Sequence, residues 1–388
     1  MIEEGLRRAR DIIERNIRGD LLYASTFYRQ VWTRDTVISA LALRFYEDPK
    51  IAKVIRNTIE FIGKFQSDRG QVPTYIDLEK QRIYWYSIDS TLWWVIACLV
   101  YRCCDREAVK NALDWCYKQV LDDSLLITSM RGTDWMDASI GREGKVIYIN
   151  DLWYMAVRLA HEEDLTSLSP REVKERINIL FWPRRTTPEK AVEWGAVGSP
   201  EFLRDFIYPE RSHYIHFVSY EYLDDRFASL GNVLAILMNI ADEEKRSRIL
   251  NYIRREGINR PYPVRCLHPV IYMPGLAWVP EVDIYRRRSQ RCLPYHYHNG
   301  AIWPFIGGFY VAALALEDKA AAREEMLRLA EANNKGKRFD WEFNEWLHGV
   351  HAKPMGSEYQ LWNAATYILA YQSIYENVDP RKIFEPVE

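Results

Sequence analysis

The chain has 388 residues, a hydrophobic fraction of 48% and a formal net charge of −2. That much apolar material supports a large core and excludes a disordered chain, and a near-neutral balance leaves no basic footprint for nucleic acid or acidic lipid. The skewed figure is aromatic content, 14%, with 14 Trp and 25 Tyr. Many of these rings stand beside Asp, Asn, His and Gln in turns, a mixture suited to binding sugars.

Two kinds of helix pattern alternate along the chain. One is amphipathic with a charged face, over residues 3–17, 49–65, 106–120, 170–180, 243–254 and 318–332. The other is apolar nearly all round, over residues 33–46, 90–101, 149–160, 228–240, 300–316 and 357–375. A helix apolar on every side is buried, and a one-faced helix covers it from outside. Six of each in strict alternation predict an all-α fold, an (α/α)6 barrel or toroid, as one catalytic domain over 1–388. A long insertion at about 181–225 reads equally as a rim or lid over the pocket and as a simple surface excursion, and HYIHFVSY (213–220) within it reads as a strand.

The first residues, MIEEGLRRARDIIERNI, read as a charged amphipathic helix without a secretory apolar core. No apolar run reaches the roughly 18–20 residues that span a bilayer. A soluble, cytoplasmic protein with no membrane partner is expected, its oligomeric state left open. Cys98, Cys103, Cys104, Cys116, Cys266 and Cys292 form no CxxC pair and have no His at zinc spacing. Free thiols, mostly buried, and no metal site are expected.

The polar, aromatic stretches cluster ahead of the apolar helices: YRQVWTRDT, YWYSIDS, RGTDWMDASIG, YLDDRFASLGN, YHYHNGAIWP and FDWEFNEWLHG. In a toroid all six junctions open at one end, so they converge on one pocket. Hydrolysis of a glycosidic bond there needs two carboxylates, one protonating the leaving oxygen and the other activating water or attacking directly. In the inverting arrangement they stand about 6.5–9.5 Å apart. Asp134 and Asp137 are the acid candidates, Glu342 and Glu345 the base candidates. An Asp ahead of a helix is more often a cap than a catalyst. Two carboxylate pairs at pocket-facing junctions weaken that blander account for both. Arg34, Asp35, Asp89, His298 and Asn299 are candidates for holding sugar hydroxyls. Trp32, Trp93, Trp135, Trp303, Gln360 and Trp362 are candidates for walls, stacking surface and further polar contact, with Asp134 as a neighbouring subsite residue. Asp89, in so apolar a setting, needs donors that either a sugar or Arg34 could supply.

WTRDTVISALAL, IDSTLWW, TDWMDASIG and HNGAIWP resemble the catalytic domain of glycogen-debranching amylo-α-1,6-glucosidases. LDDRFASLGNVLAI, YPVRCLHPVIYMP, IDSTLWW and HYHNGAIWP are as similar to neutral and alkaline invertases. Both resemblances, spanning about residues 32–371, imply an (α/α)6 barrel, an inverting mechanism, an α-glucosyl unit in the first pocket and no cofactor. They place the general acid on Asp137 and the base on Glu345, with Gly349, Gln360 and Trp362 matching the pattern around the base; an ungapped alignment puts the base on Glu342. The β-sandwich domain of many debranching enzymes has no counterpart in the sequence, and Asp134 stands where those enzymes usually have Thr. The expected substrate is therefore a short α-glucoside or α-glucan, with sucrose as the alternative. A sugar epimerase or lyase on the same barrel would use His296, His298 or His348, and a non-catalytic glycan binder would need no paired acids. A terpene cyclase or prenyltransferase would need an Asp-rich metal motif that LDDSLL and YLDDRF lack.

Overall fold

The computed structural model describes residues 1–137, 140–208, 210–272 and 293–387. Among these, twelve helices make the barrel: α1 (Ile2–Arg15), α2 (Thr33–Ala42), α3 (Pro49–Gly63), α4 (Ile88–Tyr101), α5 (Arg106–Tyr117), α6 (Ile147–Glu162), α7 (Pro170–Leu180), α8 (Ser229–Leu237), α9 (Glu243–Arg255), α10 (Pro304–Ala315), α11 (Lys319–Asn334) and α12 (Leu361–Tyr375). The even-numbered helices form the inner ring. Each packs on the next, and α12 returns to α2 to close the circle. The predicted (α/α)6 barrel is the fold.

The two helix classes differ physically as their patterns require. Every residue of α2, α4, α8 and α10 is buried. Outer α3 buries only the stripe Ile51, Val54, Ile55, Thr58, Ile59 and Ile62. That i, i+3, i+4 spacing turns one face to the inner ring.

Capping separates the classes again. Outer α3, α5, α7, α9 and α11 start on Asp48, Asp105, Ser169, Asp242 and Asp318, whose side chains accept first-turn amides. Inner helices start after Trp32, Ser87, Val146, Ala228, Trp303 and Gln360, all extended and none capping through its side chain. Asp35 and Asp89 stand inside the first turns of α2 and α4, so capping does not explain them. Six helix ends without a side-chain cap thus belong to the junctions where the polar stretches lie.

Short strands brace these junctions. Val31–Trp32 pairs antiparallel with Tyr75–Asp77, which pairs with Arg82–Tyr84. Lys145–Val146, leading into α6, pairs with Phe217–Val218, which pairs with Leu223–Asp224. The strand expected over 213–220 is therefore two residues long. The rest of the insertion holds two short helices, Thr187–Glu193 and Glu201–Arg204, that its sequence did not announce.

One cysteine expectation fails. Cys103, Cys116 and Cys266 are free, but Cys98 and Cys104 form a disulfide. The chain turns back just past α4 through Arg102, whose φ of 49° is left-handed, and brings their Cα atoms within 5.3 Å. Spacing carries no trace of that turn. Cytoplasmic proteins ordinarily keep such pairs reduced. Cys292 lies outside the described residues. Among the described residues no helix is long and apolar enough to cross a membrane.

Candidate active site

Four of the six inner-helix junctions, those ahead of α2, α6, α10 and α12, supply the walls of one cavity. It is lined by Tyr28, Trp32, Arg34, Asp35, Trp135, Asp137, Tyr297, His298, Trp303, Glu345 and Trp362. Asp137 and Glu345 thus share a cavity although 208 residues separate them in the chain (345 − 137). The loops that carry them precede α6 and α12, three places apart in a ring of six.

The aromatic walls are locked by one another. Trp135 meets His298, Trp303 and Phe305 edge-on, with centroids 5.0, 5.5 and 5.9 Å away. His298 lies parallel to Trp303 at 5.6 Å, and Trp362 stacks on Phe305 at 4.1 Å. Trp303 donates its indole N–H to the Tyr297 carbonyl at 3.0 Å. The indole nitrogens of Trp32 and Trp362 are buried with no acceptor among the described residues.

The charged groups form a graded set. Arg34 is clamped by Asp89, Nε to Oδ2 at 2.5 Å and Nη2 to Oδ1 at 3.2 Å, and its Nη1 stands 3.8 Å from Asp137 Oδ2. Asp89 is wholly buried and also accepts from the Tyr148 hydroxyl at 3.0 Å, which in turn accepts from Trp93 Nε1 at 2.8 Å. Arg34 therefore reaches Asp137 already neutralised, with a rigid base behind it. Burial pushes the Asp35 carboxyl up to about 7, against the pull of Arg34 and with added push from Glu345 and Asp137. Three carboxylates feel one another in this cavity.

Glu345 and Glu342 have opposite fates. Glu345 Oε2 accepts the Ser357 amide at 3.1 Å, and its Oε1 stands 3.5 Å from the Tyr28 hydroxyl. Gly356, at φ 72°, lies so close that a Cβ there would come within 2.4 Å of Glu345 Oε2. Glu342 instead accepts the amides of Lys337, Arg338 and Phe339 at 2.6, 3.0 and 3.0 Å, and Asn344 Nδ2 at 3.3 Å. Burial would raise its pKa, but these donors outweigh it and hold Glu342 below the usual carboxylate range. Glu342 is a latch for its own loop.

Of the predicted site residues, Trp32, Arg34, Asp35, Trp135, Asp137, His298, Trp303, Glu345 and Trp362 meet at the cavity. Asp89 and Trp93 stand behind Arg34. Asp134 does not line the cavity: its Oδ1 accepts from the Met136 amide at 2.8 Å and Arg142 Nη2 at 2.6 Å. Asn299 is turned onto the Ile271 backbone, bonding its N–H and its carbonyl at 2.7 and 2.9 Å. Gln360 donates to the Ser357 hydroxyl. Tyr28 and Tyr297 are cavity residues that sequence reasoning passed over, although both lie inside the aromatic stretches that flagged the site. Among the described residues no group of His, Cys, Asp or Glu could hold a metal ion.

Known proteins resemble this chain in sequence and in fold. The family model for alkaline and neutral invertase matches residues 196–377, just under half of the chain. The probable alkaline/neutral invertase D of Arabidopsis thaliana is 26% identical over 88% of this chain and 74% of its own length. Cytosolic invertase 1 of Oryza sativa subsp. japonica is 23% identical over 88% of this chain and 71% of its own. The chain is a glycoside hydrolase. Among solved structures, this glycosidase matches the GH63 mannosylglycerate hydrolase of Thermus thermophilus, in complex with glucose, with a TM-score of 0.60. That match covers 94% of this chain and 99% of the other at 13% identity, a likeness of fold.

Proposed function

We propose that this hydrolase releases the terminal α-glucosyl unit of a short α-glucoside with inversion at the anomeric carbon. Asp137 is the general acid and Glu345 the general base. The supporting observation is their meeting in one cavity walled by Trp32, Trp135, Trp303 and Trp362. In this reading Asp137 gives its proton to the bridging oxygen as the C–O bond breaks. Glu345 takes a proton from a water whose oxygen bonds to the anomeric carbon from the other face. Arg34 and Asp35 hold hydroxyls of the glucosyl ring.

Sucrose is the first substrate to test, because the matching family model and both relatives carry the name invertase. A branch-point or chain-end glucose of a short glucan is the second, on the likeness of TDWMDASIG to debranching enzymes. A cytoplasmic location fits the rice relative's name. The test is NMR of the first product formed from sucrose, maltose, isomaltose and small glucosylated solutes. Release of β-glucose from one of them supports the reading. Release of α-glucose removes inversion, and turnover of none removes the substrate class.

A further inference from the structure

With Asp137 as the proton donor proposed above, we propose that Arg142 and His216 are positioning residues: a buried relay through them sets where the acid loop holds Asp137. The relay begins at Asp134, three residues before the acid. Its Oδ1 accepts the Met136 amide at 2.8 Å, a turn that fixes the backbone leading into Asp137. The same oxygen accepts from Arg142 Nη2 at 2.6 Å. Arg142 Nη1 lies 2.9 Å from His216 Nε2, and His216 Nδ1 lies 3.2 Å from Asp224 Oδ2. Asp224 Oδ1 then accepts the Arg226 amide and guanidinium at 3.1 and 2.9 Å.

The direction of every bond is forced. A guanidinium only donates, so His216 must accept at Nε2 and is the neutral tautomer with its proton on Nδ1, directed at Asp224. Asp134, Arg142, His216 and Asp224 are all buried, Arg142 at 1% and His216 at 0% exposure. Such a chain either keeps its full geometry or leaves a charge stranded.

Its location gives it a function beyond holding the fold. Asp134 and Arg142 bracket the acid loop, whereas His216 and Asp224 belong to the insertion, His216 just ahead of the strand Phe217–Val218 and Asp224 within its partner Leu223–Asp224. The insertion thus reaches under the loop. A second arm meets it there: the Arg142 guanidinium lies over the Tyr148 ring at 6.0 Å, and the Tyr148 hydroxyl donates to the Asp89 that clamps Arg34. The arms from the insertion and from α2 converge on Tyr148, and Arg34 at the end of the second arm stands 3.8 Å from Asp137. A displacement of about 1 Å at a catalytic group can cost on the order of 100-fold in rate.

The test exploits what a general acid does. An alkoxide leaving group needs the proton, and the fluoride of α-glucosyl fluoride largely does not. His216→Leu should lower kcat on the best oxygen-linked glucoside by about 10- to 100-fold with KM little changed. It should leave fluoride hydrolysis near wild type. His216→Gln keeps an acceptor for Arg142 and a donor for Asp224, and should recover most of the loss. Equal losses on both substrates, or none on either, would overturn the relay. If His216→Leu does not fold, Asp224→Asn carries the same two-substrate comparison. Asp137→Asn is measured alongside. If it slows both substrates equally, the acid assignment fails, and that outcome is distinct from a failure of the relay.

Discussion

The loops carrying Asp137 and Glu345 are built on one plan and secured in different ways. In each, two carboxylates stand three residues apart, Asp134 with Asp137 and Glu342 with Glu345. In each the first anchors the loop and the second faces the cavity. Glu342 is anchored locally, by amides at 337–339 and by Asn344. Asp134 is anchored through Arg142 to a histidine on the insertion. The Glu345 loop is therefore held by its own neighbours, and the Asp137 loop is tied to a distant part of the chain. The difference leaves Asp137 dependent on buried residues outside the cavity lining, Arg142 and His216, and Glu345 on its own stretch of chain.

Substitutions should separate the two loops. The largest effect belongs to the facing carboxylates. Asp137→Asn and Glu345→Gln should each lower kcat by about 100- to 10,000-fold while thermal melting is unchanged. Retained turnover in either would remove that residue from the mechanism. Asp134→Ala comes next, because it strands the buried Arg142 charge. It should cost about 3–5 kcal/mol of unfolding free energy and also lower kcat, read by denaturant titration and kinetics on the folded fraction.

Glu342→Ala should cost less, about 1–3 kcal/mol, and leave kcat per folded molecule within a few-fold of wild type. A catalytic collapse in Glu342→Ala would mean that the ungapped alignment had named the true base. Its pH dependence has a definite sign. A carboxyl held below its ordinary pKa stabilises the fold above that value, and the benefit fades as pH falls through the lower folded pKa. Glu342→Gln should therefore narrow its stability gap to wild type toward low pH.

Asp35 carries the opposite sign. With its pKa raised to about 7, the unfolded chain releases this proton first, so stability falls as pH rises from the ordinary carboxylate value to about 7. Asp35→Asn should melt higher than wild type at pH 8, with the gain vanishing toward pH 4, and should bind substrate less tightly. An unchanged melting temperature at pH 8 would show that Asp35 is not held protonated by the fold.

Much of this was legible before any coordinates. Helices apolar on all sides can only be inside, and helices with one charged face can only be outside, so the alternating pattern determined the barrel. The barrel in turn determined that the six polar junctions share an end, which is why Arg34, Asp35, Trp135, Asp137, His298 and Glu345 could be named together. Hydropathy could not say which carboxylate of each pair faces in. That depends on backbone turns such as the left-handed Trp341 and Phe343, at φ 62° and 45°, beside Glu342. Nor could it say that Asn299 would turn onto Ile271, that Asp89 would stand behind Arg34, or that Cys98 would reach Cys104. Those pairings join residues that no local pattern links, and each exists because a buried polar or reactive group must find its partner among whatever the closed barrel brings near. The composition and periodicity of this chain determined the container; only the tertiary structure decided which side chains face its cavity.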